Sequence, residues 1–156
     1  MKKLSKLILS SLFILLLACS GSKSGKEKVY EVKLAFSSTS DYCGGAPPND
    51  RILKNLQAPK VYSSKDIMLS TENKLNDTMI TLTLDKEGEV ATALAARTYY
   101  VFLPQKLYTS FSKGGNEEAC KSWKNTPNGT FDMEKGIKSL EVKFHITCDP
   151  CGTPVK

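Results

Sequence analysis

From Val29 onward, apolar and polar residues alternate with a period of two. Tyr30, Val32, Leu34 and Phe36 fall on one side and Glu31 and Lys33 on the other, the pattern of a strand with one buried face. Asp66 to Ser70 and Thr78 to Leu84 are short β-branched or aliphatic runs, with Ile80, Leu82 and Leu84 sharing a side. Asp85-Lys86-Glu87-Gly88 predicts a tight turn in which Gly88 takes the positive φ that other residues resist. Val90 to Leu94 and Thr98 to Leu103 predict two further strands. The clearest alternation closes the chain, where Leu140, Val142, Phe144 and Ile146 interleave with Glu141, Lys143, His145 and Thr147. Asn49-Asp50 predicts a cap for a turn or two of helix bearing Ile52, Leu53 and Leu56, ended before Pro59. Asn116 predicts a cap for Glu117 to Lys124, whose two leading acids complement the helix dipole; Ala119 and Trp123 share its inner face, with Cys120 one step round. The fold class that follows is all-β, an antiparallel sandwich with one or two short helical insertions.

The N-terminus follows a different rule. Lys2, Lys3 and Lys6 precede an apolar run from Leu7 to Ala18, and no acid occurs before Glu27. A run of about 12 residues is short for a membrane-spanning helix, which needs roughly 20, and has the size of a secretory signal's apolar region. It ends in Leu16-Leu17-Ala18-Cys19, followed by Ser20-Gly21-Ser22-Lys23-Ser24-Gly25. This resembles the bacterial lipoprotein lipobox, which implies cleavage before Cys19 and attachment of a diacylglycerol and an acyl chain to that cysteine. Small Ala18 suits a peptidase pocket, and more than one acyl chain is needed for stable anchoring. The expected organisation is a lipoprotein signal peptide at 1–18, a lipidated Cys19 with a flexible Ser/Gly/Lys tether at 19–28, and a β-sandwich domain at 29–156. Residue 20 is Ser, not the Asp that favours inner-membrane retention in enterobacteria, so the resemblance implies the bacterial envelope and, in a Gram-negative cell, the outer membrane.

Composition narrows the function. The chain has 156 residues, 40% hydrophobic and 24% charged, enough for one domain beside a targeting segment and against wholesale disorder. Its net charge of +6 suggests an anionic partner, but removing residues 1–18 takes three lysines and no acid, leaving 19 basic against 16 acidic residues and a net +3. The remaining lysines are scattered beside acids, as in Lys26-Glu27-Lys28, with no basic stripe carrying interleaved aromatics. Nucleic acid is therefore not an expected partner.

The run Thr83-Leu84-Asp85-Lys86-Glu87-Gly88-Glu89-Val90, continued by Ala96-Arg97-Thr98-Tyr99-Tyr100-Val101, resembles the carboxypeptidase-regulatory-like, transthyretin-like domains. Asp85 and Gly88 match that family's Asp-x-x-Gly turn, and Thr98-Tyr99 match its later Gly-Thr-Tyr step, with Arg97 in place of the glycine. The layout with Tyr42-Cys43-Gly44-Gly45-Ala46-Pro47-Pro48 after the first strand, and Cys120 near Trp123, also resembles small Bacteroidota lipoproteins of no assigned activity. The likeness implies a transthyretin-like or Ig-like sandwich serving as a non-catalytic accessory or binding module.

Beyond Cys19 the chain holds Cys43, Cys120, Cys148 and Cys151, an even number that in an exported domain reads first as two disulfides. In such sandwiches the first and last strands often lie side by side, and if parallel their downstream ends meet. Cys43 follows Phe36 by seven residues and Cys148 directly follows the last strand, which favours Cys43 bonding to Cys148 or Cys151, with Cys120 taking the other. Two rival chemistries compete for the same residues. Cys148-Asp149-Pro150-Cys151 resembles the thioredoxin-type Cys-x-Pro-Cys, but the following Gly152-Thr153-Pro154 disfavours the helix that activates such a thiol. His145, Cys148 and Cys151, joined by Cys43 or Cys120, have ligand types suited to zinc or copper(I), although His145 belongs to an alternating strand face.

His145 is the sole histidine, so a Ser-His-Asp or Cys-His catalyst would have to use it. No nucleophile elbow, His-Glu-x-x-His helix or phosphate loop is present. Asp85, Glu87 and Glu89 could hold calcium weakly, but a solvated turn is the plainer reading. Asp77-Thr78-Met79 resembles the Bacteroidota O-glycosylation sequon and Asn128-Gly129-Thr130 the N-linked one. Trp123, Tyr99, Tyr100 and Tyr108 could stack on sugars or fill the core, and the core is preferred. The expectation is a non-enzymatic module with no cofactor, bound to the membrane through Cys19 and taking a protein or glycan ligand. A metal or thiol-redox protein built on His145, Cys148 and Cys151 is the first alternative, and a hydrolase the second.

Overall fold

The computed structural model describes residues 27–112 and 115–152, so the signal and lipidation readings at residues 1–19 lie outside the described residues. In chain order the elements are β1 (Val29–Ser40), α1 (Asp50–Gln57), β2 (Lys60–Val61), β3 (Asp66–Ser70), β4 (Ile80–Thr83), β5 (Glu89–Ala95), β6 (Thr98–Phe102), α2 (Gln105–Tyr108), α3 (Glu117–Asn125), β7 (Gly129–Asp132) and β8 (Ser139–Ile146). They build an all-β sandwich of two sheets. In the first, β1 is central, with β8 along one side and β5 then β2 along the other. The second runs β4-β3-β6-β7 and is antiparallel throughout.

Alternation places the core as expected. Val32, Leu34 and Phe36 of β1 and Val142 and Phe144 of β8 meet Ile67, Leu69, Leu82, Val101 and Phe131 of the other sheet, all buried. The sandwich is not antiparallel throughout: the pair β1–β8 is parallel, the arrangement on which the expected cysteine pairing rests, running from Lys33↔Ser139 to Ser40↔Ile146 with the whole intervening chain as its crossover. There are also three short helices, the third being the single turn α2 that Pro104 opens. Asn49 and Asn116 cap α1 and α3 as predicted, each side chain accepting the N–H three residues on at 2.9 Å.

The sheets approach one another at the β7–β8 side. The Asn128 amide accepts from Leu103 N–H at 3.3 Å and donates to the His145 carbonyl at 2.8 Å, while His145 N–H donates to the Asn128 carbonyl at 2.9 Å. Gly129 permits this closeness, since a Cβ there would lie 2.7 Å from Phe144 Cβ. On the opposite side the Asp85–Gly88 turn forms as predicted. Gly88 has φ +74°, and the Asp85 carboxylate accepts from Glu87 and Glu89 N–H at 3.0 and 2.7 Å. That carboxylate is thereby committed to the backbone, and Glu89 pairs with Lys33, so the turn is structural.

The step from β5 to β6 needs no glycine. Arg97 takes no positive φ and pairs with Glu27, while its carbonyl accepts from Met133 N–H at 2.9 Å. Tyr99 secures the connection: its ring is in the core, stacked on Phe131, and its hydroxyl bonds both the N–H and the carbonyl of Ala95 at 3.1 and 3.3 Å. Tyr99→Phe keeps the packing and strands two backbone groups of a buried residue. It should lower unfolding stability by about 1–3 kcal/mol in urea titration; an unchanged midpoint would contradict the role given to the hydroxyl.

Candidate functional site

The parallel pairing carries β1 and β8 to the same end of the sandwich, and there the four cysteines meet. Cys43 bonds Cys148 with Cα atoms 5.5 Å apart, and Cys120 of α3 bonds Cys151 with Cα atoms 4.6 Å apart. This is one of the two favoured pairings. Cys148 and Cys151 therefore belong to different bridges and do not form the local redox pair. As disulfide sulfurs they are not thiolate ligands either, and the described residues contain no group of three metal-ligating side chains that includes His145. The second bridge sits in a small buried cluster of Cys120, Cys151 and Trp123. Trp123 also donates from its indole N–H to Thr147 Oγ1 at 2.9 Å, so α3 is fixed to the segment leaving β8 at two points.

His145 lies on the outer face of β8, half exposed, directly opposite Thr39 of β1. Its Nδ1 is 2.8 Å from Thr39 Oγ1 and its Nε2 is 2.9 Å from Asp41 Oδ1. The imidazole thus links a hydroxyl to a carboxylate. Beside it is a recess of about 290 Å³ lined by Ser37, Thr39, Pro59, Asn128, Lys143 and His145. The Ser37 hydroxyl in that wall is buried and has no hydrogen-bond partner among the described residues. Chemically the set can hydrogen-bond a polar ligand. As a nucleophile site it has a secondary alcohol on a strand, and the neighbouring Asn128 amide is already spent on backbone.

The aromatics do not share one surface. Trp123 and Tyr99 are buried, Tyr100 is half-buried, and Tyr108 is 76% exposed. Leu107 and Phe111 are exposed near Tyr108 in the chain between β6 and α3. A second recess, of about 340 Å³, lies between Leu75, Phe111 and the Glu117, Cys120, Lys121, Lys124 side of α3. Asp77-Thr78 lies in the turn before β4, where Asn76 accepts from Thr78 N–H and hydroxyl at 3.1 Å. Asn128 is buried and engaged through its amide, so it is a structural clamp and not an open acceptor.

Periodicity gave no warning of Thr39, Asp41, Ser37 or Lys106 as notable residues. The first three follow only from the β1–β8 register, which is displaced by one residue from the alignment that the Cys43–Cys148 bridge alone would suggest. Lys106 is 1% exposed, donates to the Thr126 carbonyl at 2.6 Å, lies over the Trp123 ring at 5.1 Å and forms no ion pair among the described residues. Burial lowers its pKa from 10.5 to about 8.

Comparisons with known proteins add little. No family profile matches the chain, and no curated protein matches it. Among solved structures, a DUF3823 family protein from Parabacteroides merdae ATCC 43184 is similar with 11% identity and a TM-score of 0.34, over 75% of this chain and 47% of that one. The chain thus spans about half the length of that protein, and so loose a superposition carries no argument about fold or function.

The buried lysine yields a pH signature. The unfolded chain keeps this proton up to about pH 10.5, the folded chain only to about pH 8, so folding expels a proton between those values and stability rises with pH across them. Relative to Lys106→Met, the wild type should gain stability from pH 7.5 to 10, by up to on the order of 3 kcal/mol. Parallel stability curves for the two proteins would refute the buried, unpaired ammonium.

Proposed function

We propose that this protein is a lipid-anchored lipoprotein of the bacterial envelope, acting as a non-catalytic binding module with its recognition surface at the disulfide-bonded end. One observation carries the reading: the two ends of the sandwich are unlike. β1 begins at Val29, directly after the tether segment, and runs to the end where α1, α3, both disulfides and the His145 recess are gathered. A membrane-attached chain would hold the first end near the bilayer and present the second. Loops at that end are cross-linked, which lowers the entropy lost when they bind a ligand. The polar recess, with Thr39, Lys143 and His145 in its wall, suits a hydroxyl-rich or amide-rich ligand, such as a glycan or a peptide backbone. Among the described residues no helix is long and apolar enough to cross a membrane, so attachment in this reading rests on acyl chains at Cys19.

A second reading, hydrolase, has the Thr39–His145–Asp41 chain in its favour. The module is preferred because a hydrolase also needs donors aimed at a developing oxyanion, and the nearest amide is committed elsewhere. Activated-ester hydrolysis that disappears in His145→Asn while the fold persists would reverse this preference.

The anchoring is tested by fractionation and intact mass of the chain made in a bacterial host. The expected product begins at Cys19, carries the mass of a diacylglyceryl and an acyl group, and sediments with membranes, whereas Cys19→Ser carries no lipid mass. A mature terminus elsewhere, or a chain released unmodified, would overturn the lipoprotein reading.

A further inference from the structure

The β5 edge has a hydrogen-bonding pattern that fits one particular partner. Phe36 N–H donates to the Gly88 carbonyl at 2.9 Å, and those residues are in the same register as the β1–β5 pairs. In an antiparallel ladder every second residue turns its N–H and C=O to the neighbour. Val90, Thr92 and Leu94 therefore face β1, and Glu89, Ala91, Ala93 and Ala95 turn theirs outward, to the free side of the sheet. The two outer positions are already satisfied within the chain. Glu89 N–H donates to the Asp85 carboxylate at 2.7 Å and its carbonyl accepts from Asp85 N–H at 3.0 Å. Ala95 is bonded on both groups by the Tyr99 hydroxyl. Among the described residues only Ala91 and Ala93 are left open, both exposed, over a recess of about 710 Å³ bounded by Glu31, Lys33 and Lys138.

Natural edge strands are usually blunted by lysine, proline or a bulge. Between Val90 and Ala95 this one has no charged residue, proline or glycine. We propose that β5 is a self-association edge, pairing antiparallel with β5 of a second copy about a two-fold axis through Thr92. In that register Ala91 faces Ala93 of the second copy and Ala93 faces its Ala91. Their N–H and C=O groups then form four mutual hydrogen bonds and use every open group on both edges. Val90 faces Leu94 of the second copy, beyond which the strands part because Asp85 and the Tyr99 hydroxyl occupy the outer sides of Glu89 and Ala95, and the two Thr92 residues meet as a pair whose hydroxyls can bond. No like charges are opposed. Across the outer face, each row starts at Lys33 of one copy, passes two alanines and ends at Glu31 of the other, so the signs are complementary. A register shifted by two residues either way would leave an open group facing one that Asp85 or Tyr99 already holds. The edge is thus self-complementary in one register, a property a foreign strand has no reason to share.

Of the other sheet edges, β4 and β7 have only four residues each, and β8 is engaged by Asn128 at His145 and carries Glu141 and Lys143. Cysteine cross-linking of the full chain in intact host cells distinguishes these cases. Thr92→Cys places two cysteines at a non-hydrogen-bonded pair, with Cα atoms about 4.5 Å apart, within disulfide range. Ala91→Cys alone, or Ala93→Cys alone, sets like cysteines about 9 Å apart, out of range. The expected result under mild oxidation is covalent dimer from Thr92→Cys, about tenfold more than from either alanine variant alone, and recovery of dimer when differently tagged Ala91→Cys and Ala93→Cys chains are co-expressed. Mapping of the native bridges in each variant guards against misfolding, and sedimentation of the unaltered chain in detergent should give a dimer. A monomeric Thr92→Cys chain with native bridges intact would overturn the proposal. So would equal cross-linking at 91, 92 and 93, capture of a different protein at 92, or dimer formed instead by Thr81→Cys with Thr83→Cys. None of these outcomes depends on the ligand or the lipid.

Discussion

Parallel pairing of the first and last strands is the constraint on which the rest of this structure depends. β1 and β8 meet over eight register pairs, Lys33↔Ser139 to Ser40↔Ile146, although roughly a hundred residues of chain separate them. Parallel neighbours cannot be joined by a hairpin, so all of β2 to β7 must be accommodated as one crossover. Bringing such distant segments together carries a loop-closure entropy cost that local contacts do not offset. The Cys43–Cys148 bridge, spanning 105 residues, acts on that cost directly by tying the two strands at their downstream ends. In the chain-entropy account a loop of this length is worth roughly 4–5 kcal/mol, comparable to the whole stability of a small domain.

The same pairing makes the sandwich asymmetric. It delivers the residues after β1 and after β8 to one end, where Cys120–Cys151 and the Trp123–Thr147 bond add α3 to the assembly. Thr39, Asp41 and His145 come into contact there for no reason but the register, and the Asn128 clamp closes β7 onto β8 just beneath. The result is a rim held by covalent and hydrogen-bonded cross-links above a core of interdigitating aliphatic and aromatic side chains. At the far side of the sheet no strand among the described residues pairs with the outer side of β5, and its two open residues contrast with the side where Asn128 joins β7 to β8.

Much of this was legible from the chain because the burial pattern was simple where it mattered. β1 and β8 have one solvated face, so their alternation marked the inner residues, although β1 runs on through Ser37 to Ser40, where the alternation gives out. The helix caps Asn49 and Asn116 were readable because only a short polar side chain satisfies those N–H groups, and the Asp85–Gly88 turn because of its glycine. What escaped had weak local signals. β2 is two residues long, α2 is a single turn, and β7 is a four-residue strand beginning with glycine. In β3, Ile67 to Ser70 are all buried, so period two vanishes there. The Thr39–His145–Asp41 chain and the buried Lys106 are products of tertiary placement, and no residue spacing announces them. The cysteines lay between these cases: their number gave two bridges and their positions after the end strands gave two choices, while the selection of Cys148 for Cys43 required the three-dimensional path of the last residues.

The most direct test of this account is a non-reducing peptide map of the protein isolated from an oxidising compartment. Peptides joining Cys43 to Cys148 and Cys120 to Cys151, with no free thiol among the four, are the predicted result. A Cys148–Cys151 bridge with Cys43 and Cys120 free would contradict it, because the end strands would lose their covalent tie and the chemistry would move to the C-terminal cysteine pair.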